Sequence, residues 1–97
     1  MDAITTADDN TAIGYNALTT NRTGLQNTAV GANALATTLT GGYNTAVGSG
    51  SLKTVTAADN TAVGYASLKV CSTGTRNTAV GGASLYANTT GSDNIAI

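Results

Sequence analysis

A chain of 97 residues with a net charge of −1 is long enough for one domain, and alanine is the most frequent of its apolar residues. It contains no Phe, Trp, Pro or His, so it has few large side chains for a globular core, although small ones suit a thin, layered core. Four basic residues are too few to follow a phosphate backbone, and no apolar run is long enough to span a bilayer, so neither nucleic-acid binding nor membrane insertion is expected.

The first predicted element is a lead-in over residues 1–9, interpreted as a partial rung of the repeat that follows. It contains neither a basic segment nor an apolar stretch, so a secretory signal peptide is not expected. Further along the chain, the single cysteine, Cys71, excludes an intrachain disulfide. A spare thiol in a variable loop is its simplest interpretation.

A motif that reads Asn-Thr-Ala-Val/Ile-Gly repeats through the rest of the chain, in steps of 17 residues with one step of 16. The copies begin at Asn10, Asn27, Asn44, Asn60, Asn77 and Asn94. In each complete copy a Gly follows the Asn by four positions and a Leu follows it by eight. Because several positions keep the same phase, the period belongs to the fold. Residues 10–97 are therefore expected to form one repeat domain.

Each repeat is too short for two packed helices. Its regularly placed Gly residues favour turns, and its Thr and other β-branched residues favour strands, so each repeat is expected to have two short strands and two turns. The first strand is Thr-Ala-Val/Ile and the second is Ala/Ser-Leu-x. One repeat then makes one rung, and successive rungs pair as parallel strands about 4.8 Å apart. The sequence predicts an all-β fold, a parallel β-roll or narrow β-solenoid with rungs of about 17 residues.

Alternation along the first strand places Thr and Val/Ile on one side and Ala on the other. The last copy has Ile95 in the Thr position, so the Thr/Val side is expected to face the inside of the roll, against Leu. The Ala position never varies, which indicates that it is enclosed too, by a neighbouring chain in a three-fold arrangement. The predicted trimer-interface residues are Ala12, Ala29, Ala46, Ala62, Ala79 and Ala96.

The six motif asparagines are interpreted as a structural ladder at one corner of the roll, with each amide bonded to turn backbone and to the Asn of the next rung. A ligand-binding ladder is the less favoured alternative. Asp9, Asp59 and Asp93 each precede a motif Asn, but other copies have Gln26, Tyr43 and Arg76 there. A cation site would not accept those residues, so solvated turns are expected, with no metal and no cofactor.

Lys53, Lys69 and Tyr86 occupy one column on neighbouring rungs, immediately after the Leu position. They are candidates for an exposed strip that contacts a surface glycan or receptor, and an ordinary solvated face is the alternative. Catalysis is not expected, because the sequence has no histidine, no Ser-His or Cys-His arrangement and no recurring pair of carboxylates.

The repeats NTAIGYNALTTNRTG, NTAVGYASLKVCSTG and NTAVGGASLYANTTGSDN closely resemble the NTAVGYxAL-type repeats of phage tail-fibre-like proteins. They are more distantly similar to the head repeats of trimeric autotransporter adhesins. The resemblance covers residues 10–97 and implies that they are a fragment of a longer fibre, built as a homotrimeric, left-handed parallel β-roll. It also implies an extracellular or virion-associated fibre, whose shaft or head attaches to a host or another surface, with no catalytic residue.

Two other functions compete with the fibre. An ice-binding β-solenoid would present the threonine column on a flat outer face, whereas Ile95 argues that this column faces inward; the column is Thr11, Thr28, Thr45, Thr61 and Thr78. A glycan hydrolase on a β-helix is the weakest alternative, since such an enzyme places acidic residues in a groove and none recur on adjacent rungs of one face here.

Overall fold

A computed structural model describes residues 8–97, which contain eight short strands and no helix. Most of the predicted lead-in, residues 1–7, lies outside the described residues. The strands are β1 (Thr11–Ile13), β2 (Thr28–Val30), β3 (Thr45–Val47), β4 (Thr54–Val55), β5 (Thr61–Val63), β6 (Val70–Cys71), β7 (Thr78–Val80) and β8 (Ile95–Ala96).

Six of the strands form one parallel sheet in the order β1-β2-β3-β5-β7-β8. The sheet pairs each motif with the next in register, so that Ala29 lies opposite Ala46 and Ala46 lies opposite Ala62. The chain therefore winds as a β-solenoid of about 5 turns, one repeat to a turn. This confirms the predicted all-β parallel roll and its period.

The second strand of the rung differs from the prediction. The segment around each repeat Leu is a turn, and the five leucines have φ between 44° and 53°, in the left-handed region. The second sheet has only two strands, β4 and β6, which begin two residues after Leu52 and Leu68. The backbone still bonds from rung to rung at the turn, since the N–H of Leu52 donates to the carbonyl of Ser67 at 3.0 Å. The chain bends at Leu so that the side chain reaches the interior, which an extended backbone there would not achieve.

The interior of the roll contains one alanine of the sheet and one leucine of the turn from each rung. The fully buried members of this core include Ala29, Ala46, Ala62 and Ala79 from the sheet and Leu18, Leu35, Leu52 and Leu68 from the turns. Leucine is the largest buried side chain of the rung, and a smaller residue such as Val55 or Cys71 is buried with it. The residue that faces leucine from the sheet must therefore be small.

The prediction for the two sides of the first strand is corrected by this packing. The alternation is as expected, but Ala points into its own chain, while Thr and Val/Ile point outward. The alanines assigned to a trimer interface therefore lie inside the roll, with only the terminal ones partly exposed: Ala12, Ala29, Ala46, Ala62, Ala79 and Ala96. Their constancy reflects the narrow interior of one chain.

A glycine ends each complete Thr-Ala-Val/Ile strand and turns the chain, as expected. Gly14, Gly31, Gly48, Gly64 and Gly81 have φ between 122° and 132°. A Cβ on Gly14 would lie 2.8 Å from the backbone of Gly31 on the next rung. Both the backbone conformation and the close stacking of the rungs therefore require glycine at this corner.

Candidate functional site

The motif asparagines form a continuous column along the corner that precedes the sheet. The side-chain oxygen of each accepts the backbone N–H of the next motif Asn, over distances of 2.8 to 3.1 Å from Asn10 to Asn94. The side-chain amides donate to the preceding turn of the next rung, as Asn27 does to the carbonyl of Gly41 at 2.8 Å. Asn27, Asn44, Asn60 and Asn77 are fully buried. Both ends of these amides are used within the chain, so the column is not available to a ligand.

The outer face of the six-stranded sheet presents the Thr and Val/Ile columns. Val47, Val63 and Val80 are each 37% exposed, and Ile13 is 60% exposed. The threonines of the inner rungs, such as Thr45 and Thr61, are half-buried beside them. We call this surface the Thr/Val face. It is regular, because every strand in it is parallel and in register with its neighbours.

The lysine column lies on a different side of the roll. Lys53 and Lys69 sit on neighbouring rungs, and the ammonium of Lys69 lies 5.4 Å from the centre of the Tyr86 ring, within cation–π range. The two lysines also line a shallow cleft together with Tyr65, but Tyr86 is not part of its lining. The structure therefore places two of the three predicted surface residues, Lys53 and Lys69, in one cleft. The third, Tyr86, lies outside this cleft and contacts Lys69.

The acidic residues before the motif asparagines lie on exposed turns, as expected. Arg76 and Asp93 form a two-pronged ion pair on adjacent rungs, with Nε–Oδ1 at 2.6 Å and Nη2–Oδ2 at 3.0 Å. The hydrogen bond and charge of Arg76 lower the pKa of Asp93, and the same contact raises the pKa of Arg76. Within residues 8–97, no group of acidic, cysteine or histidine side chains is arranged to hold a metal ion.

Cys71 does not lie in a loop. It belongs to β6 and is fully buried, with Sγ 3.4 Å from the carbonyl oxygen of Gly74. Burial raises the pKa of its thiol, although the contacts with Gly74 and Asn77 oppose that effect. The equivalent positions of the preceding rungs are Asn21, Thr38 and Val55, all buried. Cys71 is a packing residue of the interior, and a buried thiol of this kind is unreactive.

The cleft beside the lysines was not predicted from the sequence. Its floor is Gly50, at a position where other rungs have Asn16, Asn33, Ala66 and Ala83. The sequence does contain one signal for this cleft, namely a glycine, Gly50, at a repeat position where the other rungs have larger residues.

None of the described residues forms a helix that is long and apolar enough to cross a membrane.

No protein-family model, curated protein or solved structure matches this chain.

Proposed function

We propose that this chain is a segment of a homotrimeric fibre, extracellular or borne on a virion, that serves as shaft or head in attachment to a host or another surface. The observation that supports this proposal is the exposed Thr/Val face. Parallel sheets are almost always covered on both faces. In this roll, the inner face of the sheet is covered by leucine, and the outer face is open to solvent along its whole length.

Association of copies of the chain through the Thr/Val face covers the outer side of the sheet. Rows of Val/Ile and Thr side chains run along the roll from Ile13 to Val80, so copies aligned side by side bury matching columns. Cyclic symmetry allows the same face of every copy to meet around one axis. The interface that we propose is therefore the Val/Ile and Thr columns, in place of the alanines.

Light scattering coupled to size-exclusion chromatography tests the proposal on the whole chain. A particle with about three times the 9.5 kDa mass of one chain is the expected result. A well-folded monomer at micromolar concentration would refute the homotrimer. Circular dichroism on the same sample establishes that the chain is folded.

An ice-binding β-solenoid is the second candidate, because the threonine column points outward. The sequence-based objection from Ile95 fails, since Ile95 itself is 76% exposed on the same face. Ice binding and trimer formation compete for this one surface, so a trimer would cover the threonines. The fibre proposal predicts no thermal hysteresis in a freezing-point measurement, whereas clear hysteresis from a monomer would support ice binding instead.

A further inference from the structure

The cleft beside the lysine column is a candidate binding site within one chain. It spans three neighbouring rungs, has a volume of about 160 Å³ and opens to solvent. Its walls carry Lys53, Lys69, Tyr65, Asn33 and Ser49. Clefts that hold drug-sized ligands measure about 300–1,000 Å³, so this one fits a ligand of about one sugar ring.

Gly50 lines the cleft. The other residues in its column have φ between 55° and 60°, and Gly50 has a similar φ of 69°, so the backbone follows the same path as in the other rungs. A Cβ at Gly50 would meet nothing within 4 Å. A side chain at this position would therefore extend into open space at the cleft, without a change in the backbone of the rung.

The charge of the cleft is opposite to that of the chain. Lys53 and Lys69 are the only lysines in the sequence, both line the cleft, and no carboxylate does. Neither lysine forms an ion pair with a carboxylate in the part of the chain that the structure describes. Two lysines on adjacent rungs thus line one small space that no carboxylate lines, which favours an anionic ligand.

The remaining lining adds neutral hydrogen-bonding groups and offers little apolar surface. Tyr65 lines the cleft and is 70% exposed. The side-chain amide of Asn33 and the hydroxyl of Ser49 have no hydrogen-bond partner among residues 8–97. A sugar ring matches these groups, since its hydroxyls both donate and accept hydrogen bonds.

We infer that the cleft binds a sugar ring that bears a carboxylate, of the uronic or sialic acid kind. The carboxylate lies between the two lysine side chains, and the hydroxyls of the ring bond to Asn33 and Ser49. The inference deepens the proposed attachment role and rests on that role for its biological meaning. The site itself is formed by residues of one chain.

Binding is tested by ¹H–¹⁵N NMR titration of the whole chain with methyl glucuronide, N-acetylneuraminic acid, methyl glucoside and acetate. We expect the amide signals of Gly50 and Tyr65 to shift with at least one acidic sugar, and the better of the two identifies the source. The neutral glucoside should bind roughly two- to fivefold more weakly for each lysine contact it lacks. Equal binding of glucoside, equal binding of acetate, or no shift with either acidic sugar would overturn the inference.

Gly50→Asn is the decisive variant, because Asn16 and Asn33 show that asparagine fits this backbone. Its side chain extends into the open space at the cleft, so we expect at least tenfold weaker binding with an unchanged circular dichroism spectrum. Ala83→Asn, in the same column two rungs away, is the matched control and should bind as the unmodified chain does. Retained binding by folded Gly50→Asn would place the sugar elsewhere. Light scattering on the same samples reports the trimer separately, so failure of either proposal is recognised without the other.

Lys53→Gln and Lys69→Gln test the charge without changing the shape. Each should weaken binding of the acidic sugar roughly two- to fivefold and leave the glucoside unaffected. Equal losses for both sugars would contradict recognition of the carboxylate.

Discussion

The side-chain oxygen of Asn27 accepts the backbone N–H of Asn44, 17 residues later, over 2.9 Å. The amide of the same Asn27 donates to the carbonyl of Gly41 at 2.8 Å. One buried side chain thus fixes the start of the next strand and the turn before it. Repeated from rung to rung, this contact sets the register of the roll.

Replacement of Asn27 by alanine tests this role. The buried N–H of Asn44 and the carbonyl of Gly41 would each lose a partner, at about 1–3 kcal/mol apiece. We expect the free energy of unfolding to fall by roughly 2–4 kcal/mol in urea denaturation. Thr40→Ala, at an exposed position with an ordinary negative φ, should change it by less than about 0.5 kcal/mol. Similar effects of the two variants would contradict a structural ladder.

Ala62→Leu tests the direction of the sheet residues. Ala62 is fully buried against the leucine column, so a larger side chain overpacks the interior and should lower the free energy of unfolding by about 1–3 kcal/mol or more. Ala87→Leu at an exposed position is the control, with little expected change. A melting temperature equal to that of the unmodified chain would show that Ala62 does not face the interior.

Thr38→Val is expected to stabilise the chain. The hydroxyl of Thr38 is buried without a hydrogen-bond partner in the described part of the chain, and the next rung has Val55 at the same position. Removal of an unsatisfied buried hydroxyl should raise the free energy of unfolding by about 1 kcal/mol. Urea denaturation measures the change, and a loss of stability would indicate that the hydroxyl does have a partner.

The ion pair between Arg76 and Asp93 predicts a pH dependence. Since the pKa of Asp93 is lowered in the folded chain, its stabilising effect is complete above the ordinary pKa of an aspartate. The effect is lost as the pH falls through the lowered value. NMR titration of the Asp93 carboxyl should give a higher pKa in Arg76→Gln than in the unmodified chain. An unchanged pKa would mean that the pair does not form in solution.

The period of the fold could be predicted from the sequence because Asn, Gly and Leu each mark a different constraint of the same rung. The direction of the sheet residues could not be predicted, since alternation defines two sides without saying which one is inside. The constancy of Ala62 and its equivalents fits a chain contact and a narrow interior equally well. The position of Leu68 inside the roll, opposite Ala62, decides between a chain contact and a narrow interior. The sequence does not predict this position, because it depends on a left-handed backbone conformation that leucine rarely adopts.

The cleft could not be predicted for a different reason. Tyr65 and the two lysines are separated by up to 16 residues in the sequence, and the stacking of the rungs places them beside one small space. The sequence shows that Gly50 stands in a column of larger residues, but it does not show which side chains of the neighbouring rungs surround that position.

The proposed association of copies through the Thr/Val face is tested most directly by Val63→Asp. Val63 is 37% exposed in one chain, so an aspartate there is tolerated by a monomer but places like charges together around a shared axis. Sedimentation velocity should show Val63→Asp as a folded monomer, and Thr40→Asp, on an exposed loop away from this face, as a trimer. A trimer that persists in Val63→Asp would contradict association through this face.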